Sequence, residues 1–218
     1  MSNNFNFSLS IFLPNSPIYS RHKPLKYMNL LEIFWFYLVR LNRSMKITTE
    51  SIRNFLDKHN EHITHYVVAQ SNYRAYQKNT NDIERMKFNL GKDLRHARNC
   101  FNREIYGNGA RRKPALYQPL LIATLEGTRE TANRQKSLHY NIYLGNLPKA
   151  LTTEDIKTLW KYCWVEKAQQ KNDIYITEIQ ANTQSHLLSY GTKEAQFGNT
   201  SCWDFENTQI PYSALNID

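Results

Sequence analysis

The sequence predicts an α+β fold: a central antiparallel sheet flanked by helices and preceded by a helical N-terminal region. Three observations carry that expectation. Two short apolar runs, Leu120–Leu125 and Leu138–Leu144, stand on either side of a polar turn and read as an antiparallel hairpin. An alternating run, Asp173–Ile179, supplies a further strand. Around these lie segments whose apolar residues recur three and four apart, the spacing of one helix face. The hairpin argues against a purely parallel sheet and for helices laid on an antiparallel one.

Residues 1–44 are rich in Asn, Ser and aromatics, contain Pro14, Pro17 and Pro24, and show no sustained amphipathic period before residue 29. Their apolar stretch, Leu30–Val39, is shorter than the roughly 20 residues a membrane span requires. It also lacks the small-residue cleavage site of a signal peptide. The expectation is a cytoplasmic protein with no membrane partner. Two readings of this segment stand: an accessory piece packed on the domain, or a dispensable leader with Met45 as the working start.

Residues 45–113 read as a basic helical region. Thr48 or Thr49 can cap a helix through Ile52, Phe55 and Leu56. A second helix is predicted over about 62–77, with Ile63, Tyr66, Val67, Tyr73 and Tyr76 as apolar positions. The third is the clearest: Ile83, Met86, Leu90, Leu94, Ala97, Phe101 and Ile105 form one stripe, with Gly107 and Gly109 as stops.

The charge balance narrows the partners. Twenty-eight Lys and Arg against 19 Asp and Glu give +9, with an isoelectric point near 9.4, which favours a polyanion such as nucleic acid. Nine basic residues fall between 85 and 113, opposed only by Asp93 and Glu104. Arg95, Arg98, Arg103, Arg111, Arg112 and Lys113 are therefore candidate DNA-binding residues, against the plain alternative of a solvated helix face. Cys100, Cys163 and Cys202 form no CxxC pair and read as buried thiols of a reducing compartment.

Residues 114–218 form the expected core. The first hairpin strand ends at Glu126-Gly127, and the second carries His139 and Asn141 two residues apart, hence on one face. Gly145-Asn146-Leu147-Pro148 breaks that strand. Thr152 with Asp155 marks a helix start, followed by Ile156, Leu159, Trp160 and Cys163. Thr183–Ala195 reads as a helix bearing His186, Leu187, Leu188, Tyr190 and Lys193, and the tail 196–218 as a loop draped over the sheet. Tyr190 and Lys193 stand about one turn apart.

This order of elements resembles the HUH endonucleases, above all the single-tyrosine replication initiators of rolling-circle plasmids, phages and small circular single-stranded DNA viruses. The resemblance spans about 119–195 and rests on the acid-ending strand, His139-Tyr140-Asn141 and Tyr190-Gly191-Thr192-Lys193. Asn141 stands where the family's main pattern has a second histidine. The resemblance implies an RRM-like palm and a metal site of Glu126, His139 and Asn141 holding Mg²⁺ or Mn²⁺. It further implies Tyr190 as nucleophile, assisted by Lys193, in metal-dependent nicking and rejoining of single-stranded origin DNA through a covalent phosphotyrosine. The implied activity is rolling-circle replication initiation, with host helicase and polymerase as partners. No GxxxxGK[ST] motif occurs, so no nucleotide cofactor is expected.

Plainer readings accompany each residue. His139 could be a core histidine, Glu126 the start of a turn with Glu130 as understudy, and Tyr140 and Tyr143 core or groove residues. His186 reads as a surface residue, as do His59, His62 and His65. The competing functions are a non-catalytic sequence-specific DNA-binding protein and a single-strand transposase of the same superfamily. An RNA-binding module is disfavoured because no RNP-like aromatic motif is present.

Overall fold

The structure, a computed structural model, describes residues 48–75, 78–128, 137–180, 182, 184–196 and 199–214, all within one compact unit, Ile47–Asp218. Residues 1–44, Tyr76 and Glu130 lie outside the described residues. Helix α1 (Thr49–Lys58) begins at a reciprocal cap. The Ser51 N–H donates to Thr48 Oγ1 at 3.1 Å and the Thr48 N–H to Ser51 Oγ at 2.9 Å. α1 buries Ile52 and Leu56.

The next element departs from the sequence reading. In place of a helix over 62–77, the chain forms strand β1 (Ile63–Arg74). Its four consecutive apolar residues Tyr66-Val67-Val68-Ala69 fall on both faces and blur the sequence alternation, although burial alternates regularly from Val67 to Asn72. The adjacent β-branched Val67 and Val68 suit the extended chain. β1 pairs antiparallel with β3 (Ser137–Gly145) on one side and β4 (Ile174–Glu178) on the other. With β2 (Leu120–Glu126) beside β3, the sheet order is β2–β3–β1–β4. The expected division at 113/114 therefore fails, because 45–113 contributes a central strand to the same sheet.

On the first face, Val67, Ala69, Leu121, Leu125, Tyr140 and Ile142 pack beneath α2 (Thr80–Tyr106), α4 (Thr153–Lys161) and the π-helical turn Tyr162–Lys167. The α2 stripe is as expected, with Leu90, Leu94, Ala97 and Phe101 buried. Each such Leu or Phe contributes about 1.5–3 kcal/mol of transfer free energy. Asn79 caps α2 by accepting from the Asp82 N–H at 2.8 Å, and Gly107, at φ 57°, ends it. Gly109 is not a stop; it lies within the short α3 (Asn108–Arg112). The Thr152–Asp155 cap of α4 forms as predicted.

On the second face, Ile63, Tyr66, Leu120, Ile122 and Tyr143 cluster with Ile52 and Leu56 of α1 and with Ala195, Cys202 and Trp203. The single helix expected over 183–195 is two, α5 (Gln184–Gly191) and α6 (Lys193–Gln196), broken at Thr192. The tail runs chiefly along the outer edge of β2, bridging Leu121 to Gln209 and Thr124 to Trp203, and so covers strand groups that would otherwise be open. All three cysteines are free and buried, as the sequence predicts. No helix among the described residues is long and apolar enough to cross a membrane.

Candidate functional site

β2 ends at Glu126 because Gly127, at φ 87°, turns the chain through the left-handed region. The hairpin register places Glu126 opposite His139 and Thr124 opposite Asn141. Strand alternation then sets Glu126, His139 and Asn141 on the second face. Glu126 is 1% exposed, and its Oε2 lies 3.4 Å from His139 Nε2 and 3.0 Å from Lys193 Nζ. Its Oε1 has no hydrogen-bond partner among the described residues. His139 Nδ1 sits 3.2 Å from the Ser137 carbonyl, which orients the ring with Nε2 toward the carboxylate.

Tyr190 meets this cluster through Lys193. The Lys193 ammonium lies 4.1 Å from the centre of the Tyr190 ring while contacting Glu126, so the two distances cap the ring-to-carboxylate separation at about 7 Å. The phenol ring is 44% exposed and reachable from solvent. His186, also exposed, stacks on it at 6.5 Å between ring centres. All five residues singled out for metal binding and catalysis are thus brought together.

Several side chains hold α5 and α6 against the strands. Thr124 Oγ1 donates to the Gly191 carbonyl at 2.7 Å, and the Tyr143 hydroxyl to the Leu187 carbonyl at 3.0 Å. Gly191 packs so closely that a Cβ there would collide with Tyr143 Oη and stand 3.4 Å from Asn141 Cβ. Buried Glu194 accepts from the Gly127 N–H at 2.9 Å, the Thr128 hydroxyl at 3.0 Å and Asn199 Nδ2 at 2.5 Å. It thereby clamps the chain just after Glu126. The Tyr66 hydroxyl donates to Asn141 Oδ1 at 2.6 Å. Sequence reasoning missed Tyr66 and Thr124 as neighbours of the site. Recognising β1 as a strand would have found Tyr66, since it faces Tyr143 in register.

The electrostatics follow from this packing. Burial works to raise the Glu126 pKa, but hydrogen bonds and charge from His139 and Lys193 outweigh it and hold the carboxyl below its ordinary value. Burial works to lower the Lys193 pKa, and its interactions with Glu126 and Tyr190 raise it overall. Burial, with the nearby Tyr143, Glu126 and Tyr190, pushes the Tyr66 phenol well up, so it stays a neutral donor.

The donor set fits a divalent cation in two of its three members without change. Glu126 offers an orphaned buried oxygen, and His139 an imidazole nitrogen oriented by a carbonyl on its other side. Asn141 Oδ1 is engaged by Tyr66, while its Nδ2 has no partner among the described residues. Turning the amide over exchanges the two atoms and frees the oxygen, with Tyr66 then accepting. No three His, Cys, Asp or Glu side chains converge among the described residues, and the third donor here is an amide.

The other expectations distribute differently. Arg95 pairs with Glu206 at 2.8 Å, and Arg98 donates to the Asn207 carbonyl at 3.0 Å; both strap the C-terminal segment to α2. Burial lowers the Arg98 pKa to about 10. Arg103, Arg111, Arg112 and Lys113 are exposed. Arg111–Lys113 precede Leu120, the end of β2 about 20 Å from Glu126 by the rise of its seven residues. Tyr140 faces away from the site and donates to Asp204 at 2.6 Å. His59 and His65 are buried, not surface residues. His59 packs edge-on against Phe55 at 4.8 Å, and His65 lies within 3.2 Å of both the Thr64 and Thr153 hydroxyls.

No family model, curated protein or solved structure matches this chain.

Proposed function

We propose that this protein is an HUH-type nicking and joining endonuclease that opens single-stranded origin DNA through Tyr190 and so initiates rolling-circle replication. The observation that supports it most is the meeting of Glu126, His139, Lys193 and an exposed tyrosine at one end of a sheet. A nucleophile, a cation and an orphaned carboxylate oxygen within a few ångströms are what attack on a phosphodiester requires.

Glu126 and His139, with Asn141 once its amide is turned, would hold Mg²⁺ or Mn²⁺. The bound cation supplies charge neutralisation of the scissile phosphate. Tyr190 Oη forms the new bond to phosphorus as the bond to the 3′-oxygen breaks, leaving a 5′-phosphotyrosine and a 3′-hydroxyl. Lys193 remains an ammonium, since its pKa is raised, so it steadies negative charge and does not accept the phenol proton, which leaves to solvent. Attack by a 3′-hydroxyl on the phosphotyrosine reverses the step and rejoins the strand without ATP. A single-strand transposase would use the same chemistry.

The test is covalent capture. Labelled single-stranded origin DNA incubated with the protein and Mn²⁺ should give a denaturation-resistant protein–DNA band, abolished by chelator and by Tyr190→Phe. A band retained in Tyr190→Phe would move the reaction to another tyrosine. The second reading is a non-catalytic DNA-binding protein, favoured by the internal neutralisation of Glu126 by Lys193. No band with any divalent metal, together with salt-sensitive DNA binding, would select it.

A further inference from the structure

The row of the sheet that carries Asn141 continues past the site. Asn141 pairs with Val68 on β1, and Val68 with Tyr175 on β4. Ile174 and Ile176 pack into the first-face core, so alternation points Tyr175 to the second face, the one that bears Glu126 and His139. Two strand spacings place it about 10 Å from Asn141. Tyr175 is 59% exposed, among the most exposed aromatic side chains described. Gln70, opposite His139 in the register, presents a half-buried amide on the same face beside it.

A large flat ring left open on a sheet face, next to an amide and continuous with the site, suits a partner that itself offers flat apolar rings with hydrogen-bonding edges. Nucleobases have that character, and the chain's +9 charge favours the polyanion that carries them. We propose that Tyr175 is a stacking platform for one base of the single strand held at the Glu126–His139–Tyr190 site, which rests on the function proposed above. The strand then runs from the scissile phosphate by Glu126 past the partly exposed His139 and Gln70, with a flanking base on Tyr175. A duplex cannot use this platform, because its base faces are already stacked. A peptide adding to the edge of β4 would engage backbone groups and not the Tyr175 ring.

The experiment uses the full chain carrying Tyr190→Phe, so that binding is read without cleavage. Fluorescence anisotropy with labelled oligothymidylate should show binding weakened about 5- to 100-fold by Tyr175→Ala, the loss of one base stack. Tyr175→Trp should bind at least as well as the parent, and binding of a duplex of equal length should not depend on residue 175. An oligonucleotide bearing 5-iododeoxyuridine should photocrosslink to Tyr175, located by mass spectrometry. Parental affinity in Tyr175→Ala, an equal loss on duplex, or crosslinks exclusively elsewhere would each overturn the platform. Covalent capture on the unsubstituted Tyr190 protein separates the two readings. Tyr175-dependent binding without any adduct sinks the nickase and leaves the platform, and an adduct with Tyr175-independent binding does the reverse.

Discussion

Gly191→Ala tests whether close packing of α5 on the sheet is what positions Tyr190 and Lys193. The added methyl would collide with Tyr143 Oη, lie 2.9 Å from Tyr143 Cζ and stand 3.4 Å from Asn141 Cβ. Tyr143 cannot yield easily, because it is fully buried and donates to the Leu187 carbonyl. Overpacking of this kind costs about 1–3 kcal/mol, and the better helix propensity of Ala returns about 0.5–1 kcal/mol. The expected net loss is about 1–2 kcal/mol, a Tm lower by roughly 2–8 °C for a chain of this size. The functional effect should exceed the loss of stability. If Tyr190 is the nucleophile proposed, a shift of about 1 Å costs on the order of 100-fold, so adduct formation should fall by about that factor at a temperature where the variant stays folded. Tyr143→Phe removes the atom nearest the new methyl at a cost of about 1 kcal/mol for its hydrogen bond. Combined with Gly191→Ala it should recover part of both losses, a favourable coupling in a double-mutant cycle. Wild-type stability and adduct yield in Gly191→Ala, or strictly additive double-mutant values, would refute the reasoning.

Two further substitutions probe the charges. Lys193→Met leaves Glu126 with His139 alone and should cost about 1–2 kcal/mol, less than a wholly buried pair because Lys193 is 36% exposed. The Glu126 pKa is held below 4.5, so its contribution to stability is complete above that value and lost as pH falls through its folded pKa. In the variant that pKa rises and acid unfolding should begin at a higher pH; an unchanged acid midpoint would argue against the pair. Lys193 itself titrates above 10.5, and its contribution, present below that pH and lost as pH rises through the folded value, should vanish from the alkaline limb. Glu194→Ala strands the donors of Gly127, Thr128 and Asn199 and should cost about 3 kcal/mol in denaturant unfolding. A loss under about 0.5 kcal/mol would place it outside the structural clamp.

The sequence made the hairpin, α2 and the two capped helices legible because each is specified by its own local pattern. Thr48 and Thr152 close caps within three residues, and the α2 stripe needs only a helical period. β1 was not legible for the converse reason. The unbroken apolar run Tyr66–Ala69 at its centre masks the two-residue period, and only the tertiary pairing with β3 and β4 decides its state. Losing β1 also hid Tyr66 and the role of its hydroxyl on Asn141. Within the site, residue types and order fixed Glu126 beside His139, because two-residue alternation and hairpin register are short-range properties. The Lys193 contact with Glu126 was not readable, since it depends on the break at Thr192 and on how tightly Gly191 sits on Tyr143.

The basic charge and the chemistry occupy different parts of the molecule, and that separation shapes how a nucleic acid would be held. Within 85–113, Arg85, Lys87 and Arg95 are already paired with acids, and Lys92 lies 4.2 Å over the ring of Phe88. The exposed Arg111, Arg112 and Lys113 precede the end of β2 opposite Glu126, a strand length of about 20 Å, and attraction across such a distance is largely screened at physiological salt. Lys193 and Glu126 offset each other. Under the proposed function, the pull on a phosphate at the site would depend on a cation held by Glu126, His139 and Asn141, while the distal arginines would act on the flanks of a long strand. Chelation should accordingly weaken binding of short oligonucleotides spanning only the site, and leave the salt dependence of long ones nearly unchanged.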